Sequence, residues 1–136
     1  MIGIITALIF LALSAIHVYW AFGGGRGFEA ALPTMDGKLL FTPSRAMTLF
    51  VAAGLFAFAS IVFGVLGVWG SQIPNWIFKF AVWGIAAIFY LRALGDFRYV
   101  GFFKRIKNTL FFIKQDTLFY SPLCVLIAMG CTLVAI

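Results

Sequence analysis

Charged residues are scarce in this 136-residue chain: Asp, Glu, Lys and Arg together make up 10% of it, against about 25% in soluble domains. Only four residues are acidic and only one is a histidine. A chain so poor in charge cannot cover a water-facing surface with ions, which excludes an ordinary soluble domain. A single histidine cannot build a multi-histidine metal site, and no metal or other cofactor is expected. The two cysteines, Cys124 and Cys131, sit seven residues apart in one apolar segment. That is about two helical turns, too far for a disulfide between them, and they read as small packing residues. A glycine-rich phosphate loop, H-E-x-x-H and G-x-S-x-G are all missing, so none of these nucleotide, metalloprotease or hydrolase signatures is available.

What the chain has in abundance is apolar surface, 64% of its residues. Lipid is the simplest environment for it. Four segments are long enough to cross a hydrocarbon core as helices: about residues 2–22, 46–69, 76–95 and 118–136. Together they predict one transmembrane domain over 1–136, an all-α four-helix bundle. Gly23-Gly24-Gly25 closes the first span. Thr42-Pro43-Ser44 opens the second, with a capping hydroxyl followed by a proline in the first turn. Gly70-Ser71-Gln72-Ile73-Pro74-Asn75 makes a tight polar turn. The first run reads as a span and not as a cleaved leader, because no Lys or Arg precedes it and it continues past Ala12-Leu13-Ser14.

The basic residues are one-sided. Arg26, Lys38 and Arg45 follow the first span, and Arg92, Arg98, Lys104, Arg105, Lys107 and Lys114 follow or end the third. Lys79 alone lies on the other side. The positive-inside rule then puts both long loops in the cytoplasm and both termini outside. The net charge of +6 is explained by topology and anionic headgroups near Lys104, Arg105 and Lys107, and nucleic acid is not expected as a partner. Asp36-Gly37 between short apolar runs predicts a hairpin in the first loop. In the second loop, Tyr99, Phe102, Phe103, Ile106, Leu110 and Ile113 recur on one helical face. That pattern fits a basic amphipathic helix, and equally a cationic loop that only sets topology. Ala53, Ala57, Ser60, Gly64 and Gly67 form a small-residue stripe on the second span, read as a helix–helix seam within the chain or with a second copy.

This topology gathers the unusual polar residues at one end. His17, Tyr19, Trp20, Arg45, Arg92, Asp96, Arg98, Asp116, Tyr120 and Ser121 all fall within a turn or two of the same membrane face. Arg92 and Asp96, at i and i+4, predict an ion pair, with a structural clamp and a binding role both open. Asp116 reads as a cap of the fourth helix with Thr117. Trp20, Tyr99 and Tyr120 also suit an aromatic belt, and Arg98 and Lys104 also suit snorkelling to headgroups.

Three stretches carry a resemblance: His17-Val18-Tyr19-Trp20-Ala21-Phe22-Gly23-Gly24, the run from Arg92-Ala93-Leu94-Gly95-Asp96-Phe97-Arg98 through Lys104-Arg105, and Asp116-Thr117-Leu118-Phe119-Tyr120-Ser121-Pro122-Leu123-Cys124. With the Asp36-Gly37 turn and Phe41, they resemble the family catalogued as domain of unknown function 3995. The resemblance implies a bacterial four-helix membrane protein and no particular activity.

The leading expectation is a ligand site lined by His17, Trp20, Arg92, Asp96, Arg98 and Tyr120. There Arg92 and Arg98 would hold the anionic group of an amphiphile or lipid headgroup. The residues leave other readings open: a homo-oligomeric channel or proton-coupled transporter, a lipid-directed membrane enzyme with His17 as base, and a noncatalytic subunit acting through its basic loop.

Overall fold

Backbone in a bilayer core has no water to bond to, so long apolar runs satisfy their amides internally, as helices. In the computed structural model of the chain, residues 1–32, 34–35, 38–39, 41–95, 114 and 116–136 are described. The first helix, α1, spans Ile2–Ala21. A short helix, α2 (Phe28–Ala31), and two paired strands, β1 (Thr34–Met35) and β2 (Lys38–Leu39), follow in the first loop. Next come α3 (Arg45–Val65) and α4 (Asn75–Leu94). A π-helical turn, Asp116–Tyr120, leads without a break into α5 (Ser121–Ala135). Four helical segments, counting Asp116–Ala135 as one, are long and apolar enough to cross a membrane, and the chain is a multi-pass membrane protein. The strands pair antiparallel, Thr34 with Leu39 and Met35 with Lys38, which is the hairpin expected around Asp36-Gly37. The expected amphipathic helix of the second loop, with Lys104, Arg105 and Lys107, lies outside the described residues.

Glycine ends three of the spans, and two of these ends, after α1 and α3, share one hydrogen-bond pattern. At the end of α1, Gly23 has φ 93°, its N–H bonds Trp20 O at 3.1 Å and the Gly24 N–H bonds Tyr19 O at 3.0 Å. The same pair of bonds recurs after α3. Gly67 has φ 72°, and the N–H groups of Gly67 and Val68 reach Gly64 O at 3.0 Å and Phe63 O at 3.1 Å. Both are Schellman motifs. The second shortens the helix relative to the sequence reading, which carried it to residue 69. It also removes Gly67 from the small-residue stripe. At the start of α3, the cap is Ser44 and not Thr42: the Ser44 Oγ accepts from the Met47 N–H at 3.2 Å. Pro43 therefore precedes the cap, outside the first turn.

Successive spans are antiparallel. A Cβ added at Gly3 would stand 2.8 Å from Leu66 at the far end of α3, while Ser14 Oγ donates to Ala52 O at 2.8 Å. Likewise Arg92 faces Asp116, and at the opposite end Lys79 Nζ donates to Ile136 O at 2.9 Å. The ends of α1 and α4 and the starts of α3 and the fourth span thus share one end of the bundle. The interior is built largely from small residues: Ala7, Ala52, Ala59, Ala86 and Ala128 are buried, while Phe50, Phe80, Trp76 and Leu91 are exposed. This is the arrangement lipid favours, because close backbone approach drives helix association there. Phe10, Phe58 and Phe89 fill the middle of the bundle edge-on to one another, with centroids 5.5–6.3 Å apart.

The buried row on α3 is Thr48, Ala52, Leu55, Ala59 and Val62, one position round from the expected stripe. Ala53 and Ala57 face outward. Gly64 is buried, and an added Cβ there would stand 2.5 Å from the Phe78 ring. The expected stripe is therefore divided between an outward face and a contact with α4.

Candidate functional site

The shared end carries two polar groups, one on each helix pair. The first grows from α1 and the loop behind it. His17 Nδ1 lies 2.8 Å from Leu13 O, one turn back. A carbonyl only accepts, so Nδ1 carries the proton, and Nε2 has no hydrogen-bond partner among the described residues. The His17 ring meets Trp20 edge-on, centroids 5.0 Å apart. Trp20 in turn pins the loop: its Nε1–H donates to Arg26 O at 2.8 Å, and Phe28 packs edge-on at 5.8 Å. The Arg45 guanidinium lies 6.0 Å from the centroid of the Phe22 ring, a cation–π contact tying the end of α1 to the start of α3. These contacts fold the first loop over the α1–α3 pair and leave a pocket of about 250 Å³. His17 and Trp20 form one wall, Leu32 and Phe41 the loop side, and Pro43, Met47, Thr48 and Val51 the α3 side.

The second group joins α4 to the fourth span. Arg92 Nη2 lies 3.4 Å from Asp116 Oδ1. The two partners differ sharply in exposure: the Asp116 side chain is fully buried, whereas 38% of the Arg92 side chain is exposed. At 3.4 Å the contact is longer than the roughly 2.7–2.9 Å of a tight charge-assisted bond. Among the described residues, Arg92 Nη1 and Ser121 Oγ are buried with no hydrogen-bond partner. The π-helical turn is where the chain brings Asp116 and Ser121 together. Pro122, at the start of α5, has no N–H, and its ring crowds the carbonyl four residues back. The wider turn accommodates it. Single π turns of this kind recur at functional sites.

Of the expected site residues, His17 and Trp20 stand in the first group and Arg92 in the second. Tyr120 is half-buried on the π turn beside Phe119, ring centroids 5.4 Å apart. Asp96 and Arg98 lie outside the described residues. The described residues show no hydrogen bond, ion pair or ring contact between the two groups. Asp116, read from sequence as a helix cap, is a buried ion-pair partner of Arg92. The signal was present in the sequence: an acid opening an apolar span, level with an arginine closing another.

Between the polar end and the opposite end, the fully buried side chains include Phe10, Val62, Val82 and Ile127, an apolar plug. No curated protein and no solved structure matches the chain. A family model described as "Protein of unknown function (DUF3995)" matches residues 10–131, which include α3, α4, most of α1 and all but the last turn of the fourth span, and the chain belongs to that family.

Proposed function

We propose that the polar end of the bundle binds the anionic headgroup of a membrane amphiphile, with Arg92 as the binding cation. One observation carries this reading: an arginine side chain that is 38% exposed is paired with a fully buried carboxylate. Asp116 fixes the arginine in place through one nitrogen. The exposed part of the Arg92 side chain is left to a phosphate or carboxylate oxygen, and Nη1, buried and without a partner among the described residues, has hydrogen-bonding capacity to spare. An intramembrane charge turned toward a partner and not toward lipid is the usual mark of a working group. The apolar outer faces of α4 and the fourth span, with Leu91 and Leu118 exposed, give the tail a place beside the head.

Native mass spectrometry tests it with phosphatidylglycerol and phosphatidylcholine nanodiscs. The wild-type chain should retain phosphatidylglycerol preferentially. The double variant Arg92→Ala/Asp116→Ala, which removes both charges together, should lose about nine-tenths of that retention, a change of about 1.4 kcal/mol. Unchanged preference in the double variant would sink the reading.

The basic bias around this end supports a cytoplasmic placement in the plasma membrane of a bacterium. A fluorescent-protein reporter inserted after Lys38 should light up, and an alkaline phosphatase at the same site should stay inactive. The reverse result would invert the topology.

A further inference from the structure

Among the described residues, the side chains that line the pocket at His17 present hydrogen-bond acceptors and almost no free donors. Its side-chain donors are already engaged: Trp20 Nε1–H on Arg26 O, Nδ1–H of His17 on Leu13 O, and Thr48 Oγ–H on Ser44 O at 3.1 Å. On the α3 wall, the Met47 N–H is held by Ser44 Oγ and the Thr48 N–H by Ser44 O, and Pro43 has none. On the lining side chains, what remains is Nε2 of His17, whose Nδ1 carries the proton, and a lone pair on Thr48 Oγ. The rest of the wall is apolar: Leu32, Phe41, Met47 and Val51. An acceptor in an apolar pocket selects a molecule that brings its own donor, and it repels a bare anion. This is the opposite preference to that of Arg92.

We propose that this pocket binds a neutral, hydroxyl-bearing apolar molecule, whose O–H donates to His17 Nε2 and whose body lies against Trp20, Phe41 and Val51. A cavity of roughly 150 Å³ holds one benzene ring, so about 250 Å³ admits a substituted ring or a short alkyl chain. The site stands apart from the Arg92 reading and does not depend on it.

His17 is the only histidine, so ¹⁵N-histidine labelling of the full chain in micelles gives one imidazole. In the free protein its signals should show the tautomer protonated at Nδ1. Titration with 4-ethylphenol should move the Nε2 resonance saturably. The methyl ether, 4-ethylanisole, which has the same ring and no donor, should bind at least tenfold more weakly. 1-Octanol separates the two sources: a saturable response to it alone assigns a chain alcohol such as an acylglycerol, and a response to the phenol assigns a ring. Val51→Trp, which fills the pocket, should abolish both responses. A proton on Nε2 in the free protein overturns the proposal. So do equal responses to phenol and ether, no saturable response to either alcohol, or a Val51→Trp variant that responds like the wild type.

Discussion

Arg92→Ala is expected to destabilise the protein by about 3–5 kcal/mol, the cost of breaking a buried ion pair from one side. Asp116→Asn should cost clearly less, about 1–3 kcal/mol, the scale of a buried donor left short of a partner. The asymmetry follows from exposure. Removing the guanidinium leaves a carboxylate that is fully buried in the low-dielectric interior of the bundle. Removing the carboxylate leaves an arginine that is already 38% exposed, whose long arm can swing to the interface and recover solvation. Removing both charges takes away the desolvation penalty along with the attraction, so the double alanine variant should be more stable than Arg92→Ala alone. Heat-induced aggregation midpoints in detergent would order the three. An Asp116→Asn variant as damaged as Arg92→Ala would mean that the arginine, and not the aspartate, is the trapped charge.

That pair also shows what the sequence could and could not deliver about the site. The convergence of polar residues on one end was legible, because span order alone fixes which helix ends meet. The pairing of Arg92 with Asp116 was not. The i, i+4 rule offered Asp96, which lies outside the described residues, and among those described the contact is to Asp116, 24 positions away. A local rule weighs only neighbours in the chain, and a charge inside a bilayer is under stronger pressure to find the nearest buried partner, whichever helix carries it. The separation of His17 from Arg92 was hidden for a similar reason. Depth says that two residues are level, but it does not say that α1 packs chiefly on α3 while α4 packs chiefly on α5.

Among the helices, hydropathy located all four spans, and the Asp-Gly turn located the hairpin. The packing row on α3 within the chain lies one residue round from the small-residue stripe. In a soluble helix the polar face marks what is outside. In lipid, Ala53 and Ala57 on the outer face look no different from Ala52 and Ala59 on the inner one. Gly67 was misread because small residues serve two purposes in membrane helices. At helical spacing it looked like part of a packing stripe, while its φ of 72° makes it a helix terminator.

Phe10→Ala is the substitution expected to test that packing most directly. Phe10 is fully buried and meets Phe58 at 5.7 Å and Phe89 at 5.5 Å, both edge-on, so its loss opens a cavity where α1, α3 and α4 converge. Large-to-small changes at such rings cost about 3–5 kcal/mol in water-soluble cores. Part of that cost is transfer out of water. A helix that separates within a bilayer gives its ring to lipid instead, so the transfer part falls away and the lost packing remains. The expected loss is therefore at the low end, about 3 kcal/mol. Phe50, 80% exposed on the outer face of α3, supplies the contrast: Phe50→Ala should change stability by no more than about 0.5 kcal/mol. Unfolding by sodium dodecyl sulfate titration from mild detergent micelles would measure both. Equal losses at the two positions would mean that bulk apolarity, and not interlocking of the aromatic rings, holds these helices together.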